Sequence, residues 1–292
     1  MPIVTTKNLL LDAQRGHYAV GAFNIENMEM AQAVIQAGEE TCAPLIIQTT
    51  PSTLKYASPS LFFSMVRSLA DSSKIPVAMH LDHGSSFDQC CQVIQAGYTS
   101  VMIDGSKLSF EENIQVTKKV VEVADCCSIP VEAELGTVGG KEDTHEVKDK
   151  DALYTNPDLA KEFVERTGIS SLAVAIGTAH GFYKGIPKLD FDRLAQILEV
   201  VSIPMVLHGA SGVPDEAVRQ SISLGICKVN FATELRAHFT DACRKILIDP
   251  GVIDPKKYCA AGRDAVKEFV KERILVCGSD GRAYSDLNYE KK

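Results

Sequence analysis

Histidines and acids gather in a few short segments of this sequence, each of which directly follows an apolar run. The segment HLDHG places His80, Asp82 and His83 after the run IPVAM, where a buried strand has no use for three titratable side chains. Of the seven histidines, His180 and His208 also follow apolar runs. Three neutral imidazoles and one open position suit a catalytic zinc ion. A single histidine in a strand is more often a packed core residue, but several at equivalent positions favour a metal site.

Strand alternation separates the roles within HLDHG. Residues two apart face the same side, so His80 and Asp82 share a face, whereas His83 points the other way or leaves the strand as the chain turns at Gly84. We therefore predict that His83 is a metal ligand and that Asp82 is the acid/base beside it. His80 lies deeper and is predicted to support the site or to pack.

Two further segments contain the residue types of a phosphate site: HGASG at 208–212 and NFATE at 230–234. A glycine such as Gly209 lets backbone N–H groups approach an anion, and Ser211 and Thr233 add hydroxyl donors. An ordinary tight turn after a strand uses the same residues, so both interpretations stay open at this point.

The elements that must position these residues alternate along the chain. Eight short apolar runs are strand candidates, at 18–25, 44–50, 75–84, 99–106, 129–140, 171–181, 203–212 and 226–234. Between them lie amphipathic segments with helical spacing. Strict alternation predicts a parallel sheet covered by helices on both faces. Eight repeats fit a closed (β/α)8 TIM barrel of the α/β class. A doubly wound open sheet is the alternative, but its usual GxGxxG turn is absent after the first strand.

Residues 262–278 predict an extra C-terminal helix beyond the eighth unit. Since barrels of roughly 250 residues are single domains and no linker-like tract divides the chain, we predict one catalytic domain over residues 1–292. Barrel enzymes build their sites where the carboxyl ends of the strands meet, and the loops after strands seven and eight commonly bind phosphate. The polar residues at those ends are Asn24, Asp82, His83, Asp104, Glu134, His180, His208 and 230–233.

Composition excludes several classes of protein. The net charge of −8, without a basic stripe, argues against binding to nucleic acid or to an anionic membrane. No apolar run approaches the roughly 20 residues of a membrane-spanning helix, and no signal-peptide pattern opens the chain. Nine cysteines without a CxxC motif are typical of reduced thiols. We therefore predict a cytoplasmic protein with a small-molecule substrate.

Taken in order, the motifs resemble those of class II, metal-dependent fructose/tagatose-bisphosphate aldolases. The matching segments are HLDHG, SVMIDGS, VEAELGTVGGKED, AIGTAHGFY, VLHGASG and KVNFATELR, which span nearly the whole chain. The compact length is similar to that of the tagatose-type subgroup. The resemblance implies reversible cleavage of a ketose bisphosphate, such as tagatose or fructose 1,6-bisphosphate, to dihydroxyacetone phosphate and an aldehyde. It also implies a homodimer or homotetramer, and some relatives of this type need an accessory subunit.

The same resemblance implies roles for individual residues. Zinc is implied on His83, His180 and His208, with Asp82 as the proton donor and acceptor. Glu142 matches a glutamate on a mobile loop that handles the second proton. Asp104 and Glu134 match an alternate, more remote metal position. The implied ketose-phosphate residues are Gly181, Gly209, Ala210, Ser211, Asn230, Phe231, Ala232 and Thr233. A monovalent cation, Na⁺ or K⁺, is implied near the backbone carbonyls of these loops. Weaker candidates are Asn24, Ser52, Lys184 and Arg263, with Arg282 as a second candidate for the far phosphate.

In this interpretation, zinc polarises the ketose while Asp82 removes the proton of the C4 hydroxyl and Glu142 protonates the enediolate carbon. Three alternatives stay open. A Schiff-base aldolase would use Lys228, Lys184 or Lys107, and a desolvated pocket would have to lower the pKa of that lysine. A metal-dependent hydrolase would often carry histidines on its first strand, whereas the first strand candidate of this chain, at 18–25, contains none. A barrel without catalysis would serve only as an assembly subunit. The stereochemistry and chain length of the substrate stay undecided.

Overall fold

Eight parallel strands close into a barrel in the computed structural model, which describes residues 3–142, 145–147, 154–183 and 185–284. In chain order the barrel strands are β1 Val20–Asn24, β2 Leu45–Thr49, β3 Val77–Gly84, β4 Ser100–Ile103, β5 Val131–Leu135, β8 Ser171–Val174, β10 Met205–Leu207 and β11 Ile226–Phe231. Each predicted strand contains one of them. Pairing of β1 with β11, with Ala22 opposite Asn230, closes the ring. The prediction of a (β/α)8 barrel is confirmed.

Helices surround the barrel, and their bounds follow the expected alternation. They are α1 Thr6–Gly16, α2 Met28–Thr41, α3 Pro51–Tyr56, α4 Pro59–Asp71, α5 Phe87–Ala96, α6 Phe110–Cys126, α7 Pro157–Thr167, α8 Phe191–Val200, α9 Asp215–Leu224, α10 Thr233–Leu247 and α11 Pro255–Cys277. A short 3-10 helix, Arg282–Tyr284, follows. Within the described ranges, no helix combines the length and apolar character needed to cross a membrane.

The predicted C-terminal helix is present but begins earlier than expected. α11 starts at Pro255 rather than at residue 262, because Asp254 caps it by accepting a hydrogen bond from the Lys256 N–H. Proline at the first helical position costs no hydrogen bond. The added turns lengthen the surface that α11 packs against α2 and α10.

An additional helix, α1, packs at the amino-terminal end of the barrel, against β1 and β11. Leu9, Leu10 and Ala13 form an apolar cluster there with Tyr18. The Thr6 hydroxyl donates to the Ser100 hydroxyl over 2.9 Å. This helix covers the end of the barrel opposite the rim at which the strands finish, which leaves that rim for chemistry.

The predicted strands at 129–140 and 171–181 extend well past the observed ends of β5 and β8. β5 ends at Leu135 and β8 ends at Val174, because the chain turns at Gly136 and Gly177 with positive φ angles of 85° and 107°. Beyond these turns lies a separate small sheet made of β6 Gly139–Glu142, β7 His145–Val147 and β9 Ala179–His180. Within it, Gly140 lies opposite His180. The segments GTVGGKE and TAH thus leave the barrel and pair with each other above it.

Candidate metal and phosphate site

A distortion at the end of β3 directs the side chain of His83. The register between β3 and β4 shifts between Leu81 and Gly84, and His83 adopts a left-handed conformation with φ 49°. Strand alternation therefore does not apply at His83, so Asp82 and His83 can both face the centre of the rim. Gly84 has no room for a side chain, because a Cβ there would collide with the Met102 carbonyl oxygen.

Three histidines meet at this rim, as the sequence predicts. His83, His180 and His208 each offer one ring nitrogen, and these atoms lie within 4.8 Å of one another. His83 Nε2 lies 2.8 Å from His208 Nδ1. Nitrogen ligands of a tetrahedral zinc ion stand about 3.3 Å apart, given Zn–N bonds of about 2.0–2.1 Å. The donor set and its spacing therefore fit one zinc ion.

The other ring nitrogens of two of these histidines are held by carboxylates. His83 Nδ1 lies 2.9 Å from Asp104 Oδ2, and His208 Nε2 lies 2.8 Å from Glu132 Oε1. A carboxylate on one ring nitrogen fixes the tautomer and leaves the opposite nitrogen free to bind a metal. The remaining ring nitrogens, His83 Nε2 and His208 Nδ1, face each other at 2.8 Å.

Glu132 is a residue that our sequence reasoning missed. Its carboxylate is buried inside the barrel and accepts hydrogen bonds from Lys228 Nζ over 2.9 Å and 3.2 Å. Burial alone would raise the pKa of Glu132, but the Lys228 ammonium and the His208 hydrogen bond lower it well below its usual range. The signal in the sequence was the spacing in VEAEL, which places Glu132 two residues before Glu134 on the same strand face.

His80 lies below the histidine cluster and is fully buried. Its Nδ1 lies 2.8 Å from the Ser100 hydroxyl, and its Nε2 lies 3.8 Å from Glu132 Oε2. Burial and the neighbouring Lys228 ammonium lower the pKa of His80 well below its usual value. Its place in the barrel interior agrees with the supporting position predicted from strand alternation.

Asp82 is buried and held by two side-chain amides. Asn24 Nδ2 donates to Asp82 Oδ2 over 2.8 Å, and Asn230 Nδ2 donates to Asp82 Oδ1 over 3.0 Å. Gln48 Nε2 in turn donates to Asn24 Oδ1 over 2.7 Å. Both carboxylate oxygens are thus oriented, and Oδ1 lies 3.9 Å from His83 Nε2. This arrangement gives Asn24 a definite position, whereas the sequence offered it only as a weak candidate.

Asp104 and Glu134 form a second cluster with His83 that could hold a cation. Burial, together with the charge of Asp104, raises the pKa of Glu134 to about 8. Burial opposes ionisation of Asp104 too, but its bonds with His83 and Ser106 lower its pKa below the usual range. Glu134 Oε2 is buried and has no hydrogen-bond partner among the described residues, so a cation would satisfy it.

A small, partly open pocket lies beside the histidines. Its lining residues are His180, Gly181, Gly209, Ser211, Asn230, Ala232 and Thr233. α10 begins at Thr233, and its N-cap residue, Ala232, makes no side-chain capping bond, so the first N–H groups of the helix can serve an anion. Gly209 has φ 64°, and a Cβ there would lie 2.7 Å from the Ala179 carbonyl oxygen.

Two predicted pocket residues differ from the rest. The side chains of Ala210 and Phe231 are buried in the core, and the Phe231 ring stacks on Phe23 with centroids 5.6 Å apart. Within the chain, only their backbones are placed to serve a ligand. For Phe231 the reason is strand alternation, because Asn230 faces the barrel interior and Phe231 faces the helices.

The remaining candidates are scattered. The backbone of Glu142 ends β6, next to the strand that carries His180, and Lys184 lies outside the described residues. Ser52 is the second residue of α3 and bonds with the Thr50 hydroxyl, and Arg263 lies on α11 and pairs with Asp264. Arg282 stacks on Tyr18, which precedes β1 at the opposite end of the barrel from this rim. Within one chain, Arg282 is therefore remote from the pocket.

Comparison with known proteins decides the family. The model of the family described as fructose-bisphosphate aldolase class-II matches residues 4–282. The chain belongs to the class II fructose-bisphosphate aldolase family. The match covers nearly all of the chain, including every segment of the rim.

Solved structures agree with this membership. The YdjI aldolase from Escherichia coli K12 is 39% identical, with a TM-score of 0.86, and the alignment covers 97% of this chain and 100% of that one. A fructose-1,6-biphosphate aldolase candidate from Coccidioides immitis is 29% identical, with a TM-score of 0.88, over 94% of this chain and 96% of that one. The fructose-bisphosphate aldolase of Campylobacter jejuni, at 22% identity and a TM-score of 0.82 over 96% of each chain, shares the fold. Family membership makes this chain a lyase that cleaves carbon–carbon bonds.

Proposed function

We propose that this class II aldolase is zinc-dependent and reversibly cleaves a ketose bisphosphate, of the tagatose or fructose 1,6-bisphosphate type, to dihydroxyacetone phosphate and an aldehyde. The observation that carries the proposal is the adjacency of three histidine nitrogens within 4.8 Å, the oriented Asp82 carboxylate and an uncapped helix terminus. The test is an assay for dihydroxyacetone phosphate across a panel of ketose phosphates that differ in stereochemistry and length. Release from none of them would contradict the proposal.

His83, His180 and His208 would hold the zinc ion, and Asp104 and Glu134 would provide an alternate position for it. When bound, zinc supplies Lewis-acid polarisation of the ketose carbonyl and neutralises charge that develops on its oxygen. Asp104 would hold the His83 ring, and Glu132 would hold the His208 ring, so that His83 Nε2 and His208 Nδ1 face the metal position.

Asp82 would accept the proton of the C4 hydroxyl as the C3–C4 bond breaks, so that C4 becomes the aldehyde carbon. The amides of Asn24 and Asn230 keep its two oxygens in fixed positions without donating an acidic proton of their own. The electron pair of the broken bond stays with the dihydroxyacetone phosphate half as an enediolate. Glu142 would deliver a proton to C3 of that half and would remove it in the condensation direction. Support for Glu142 is the pairing of β6 with β9, which joins its strand to the His180 segment.

The phosphate of the ketose would bind in the pocket beside His180. Backbone N–H groups of Gly181, of 209–211 and of 230–233 are the proposed donors, helped by the hydroxyls of Ser211 and Thr233. Backbone donors suit a chain whose net charge is −8. A monovalent cation, Na⁺ or K⁺, near the carbonyl oxygens of these loops is part of the same proposal. The far phosphate, if the aldehyde half carries one, would draw on Ser52, Lys184 or Arg263.

We further propose that residues 1–292 form one catalytic domain, that the protein works in the cytoplasm, and that it forms a homodimer or homotetramer. Support for the cytoplasm is that all nine cysteines are free thiols. Support for assembly is the apolar surface after α10, where Ile248 and Ile253 are 80% and 87% exposed. Sedimentation of the purified chain tests the oligomer, and turnover by that chain alone tests whether an accessory subunit is needed.

The Schiff-base alternative finds less support. Lys228 is fully buried, and its Nζ is held in an ion pair by Glu132 rather than exposed to the pocket. Lys107 is exposed to water and not enclosed in the dry pocket that a Schiff-base lysine needs. Borohydride treatment in the presence of dihydroxyacetone phosphate would trap a covalent adduct only if a lysine carries the reaction.

A further inference from the structure

The hydroxyl of Tyr183 joins two backbone segments of the site. It accepts a hydrogen bond from the Ala179 N–H over 2.6 Å and donates one to the Gly209 carbonyl oxygen over 2.7 Å. One hydroxyl thus uses its acceptor and its donor at the same time, which fixes its direction. The two partners are 30 residues apart in the sequence (209 − 179) and belong to different barrel repeats.

Each partner of Tyr183 is the direct neighbour of a histidine of the metal cluster. Ala179 precedes His180, and Gly209 follows His208. The two backbones also touch, because a Cβ on Gly209 would lie 2.7 Å from the oxygen and 2.8 Å from the carbon of the Ala179 carbonyl. The Ala179 and Gly209 segments are therefore in close contact, and the Tyr183 hydroxyl links them by its two hydrogen bonds.

The same hydroxyl bonds with a residue that lines the proposed phosphate pocket. Gly209 is both its acceptor and a lining residue of that pocket. The Tyr183 ring lies close to Gly212, where an added Cβ would be 3.4 Å from the ring. Tyr183 therefore contacts the loop 209–212 at both of its ends, once through the hydroxyl and once through the ring.

We propose that Tyr183 is a positioning residue that sets the distance between the His180 and His208 segments and the shape of the loop 209–212. The inference rests on the proposed function, in that these segments hold the metal ion and the phosphate. It assigns Tyr183 no contact with the reacting atoms. Loss of the hydroxyl leaves the Ala179 N–H and the buried Gly209 carbonyl without this partner, so the two segments can separate.

The test compares two tyrosine-to-phenylalanine variants, each of which loses one hydroxyl. Tyr183→Phe removes the bridge and keeps the ring. Tyr98→Phe is the matched control, because the Tyr98 hydroxyl is buried and bonds with the Thr49 hydroxyl over 2.8 Å, away from both loops. For both variants and the wild type, zinc affinity is measured against a chromogenic chelator, phosphate affinity by calorimetry with inorganic phosphate on the zinc-loaded protein, and folding by thermal unfolding.

We expect Tyr183→Phe to weaken zinc binding about tenfold or more, the range found when groups that orient metal ligands are removed. We also expect its affinity for inorganic phosphate to fall by at least about threefold, the equivalent of losing part of one hydrogen bond. Tyr98→Phe should lower the unfolding temperature by about as much as Tyr183→Phe does, but it should leave the affinities for zinc and for inorganic phosphate unchanged.

Wild-type zinc affinity or wild-type phosphate affinity in Tyr183→Phe would overturn the proposal, as would equal losses in Tyr98→Phe. None of these measurements needs turnover. A wild-type protein that binds zinc and phosphate but releases no dihydroxyacetone phosphate would therefore contradict the proposed function and leave the assignment of Tyr183 testable.

Discussion

Glu132 Oε1 lies 2.8 Å from His208 Nε2, and Glu132 is at the same time the ion-pair partner of Lys228. One buried carboxylate thus connects a histidine of the rim to a lysine in the barrel interior. Because His208 Nε2 is occupied in this way, only its Nδ1 is free to bind a metal ion. The orientation of a proposed zinc ligand therefore depends on the Glu132 carboxylate, which lies below the site.

Replacing Glu132 with glutamine should weaken zinc binding by about 10- to 100-fold, because an amide holds the His208 ring less firmly than a carboxylate does. The variant should also lose stability, by about 3–5 kcal/mol, since Lys228 is left buried without its partner. Lys228→Met is the matched control, because it breaks the ion pair but leaves Glu132 on His208. A chelator competition assay that gives equal zinc affinities for the two variants would contradict the role of Glu132.

Replacing Asp82 with alanine should leave zinc bound and lower kcat by about 10²-fold or more, the usual contribution of a positioned acid/base. Both Asp82 oxygens accept hydrogen bonds, from Asn24 and Asn230, which supports the proposed place of Asp82 beside the metal ligands. Metal analysis of the purified variant, together with steady-state kinetics, checks both statements. A parallel loss of zinc and activity would make Asp82 a ligand.

Replacing Glu142 with alanine should slow the exchange of the dihydroxyacetone phosphate C–H proton with solvent deuterium, as followed by NMR. The reason is that the proposed base for that carbon is removed, whereas Asp82 acts on the other half of the substrate. Asp82→Ala is therefore the control and should keep the exchange. Exchange at the wild-type rate in the Glu142 variant would exclude Glu142 from the reaction.

Removing the metal ion should abolish cleavage. EDTA treatment followed by gel filtration is expected to give an inactive protein, and added Zn²⁺ or Co²⁺ should restore turnover, since both ions accept three imidazole ligands and an open position. Borohydride with dihydroxyacetone phosphate should give no covalent adduct by mass spectrometry. Activity that survives complete metal removal, together with a trapped adduct, would favour the Schiff-base alternative.

Adding one methyl group at Gly209 should raise KM for dihydroxyacetone phosphate more than Ser211→Ala does. Loss of the Ser211 hydroxyl costs about 0.5–1.5 kcal/mol, or roughly a three- to tenfold rise in KM. Gly209→Ala combines a left-handed backbone with a Cβ 2.7 Å from the Ala179 carbonyl oxygen, and so displaces the loop itself.

A matched control for that strain is Gly281→Ala. Gly281 has φ 70°, and an added Cβ there would meet nothing within 4 Å. Gly281→Ala should therefore carry the same cost of a left-handed alanine, about 1–2 kcal/mol, without changing KM for dihydroxyacetone phosphate. Equal KM values for Gly209→Ala and the wild type would place the phosphate elsewhere.

Local features of the sequence predicted most of the fold. Alternation and apolar runs located all eight barrel strands, because a strand buried on both faces reads as a short continuous apolar segment between helical patterns. Helix signals were equally local. Asn156 caps α7, Pro157 occupies its first turn and Gly168 ends it with φ 72°, and each of these residue types is typical of its position. Chain order and the rule that barrel sites lie at the carboxyl ends of strands then predicted which polar residues meet.

The sequence by itself thus determined the barrel, the rim and the three histidines, because each depends on periodicity within a segment or on the order of segments. Only the tertiary structure decided what surrounds them. Glu132 meets His208 and Lys228 across the barrel interior, 76 and 96 residues away, and the small sheet joins β6 to the His180 segment. Tyr183 likewise bridges two loops from different repeats. Such contacts form only when the ring of strands closes and brings opposite walls within hydrogen-bond distance, and no local pattern records which side chains then meet.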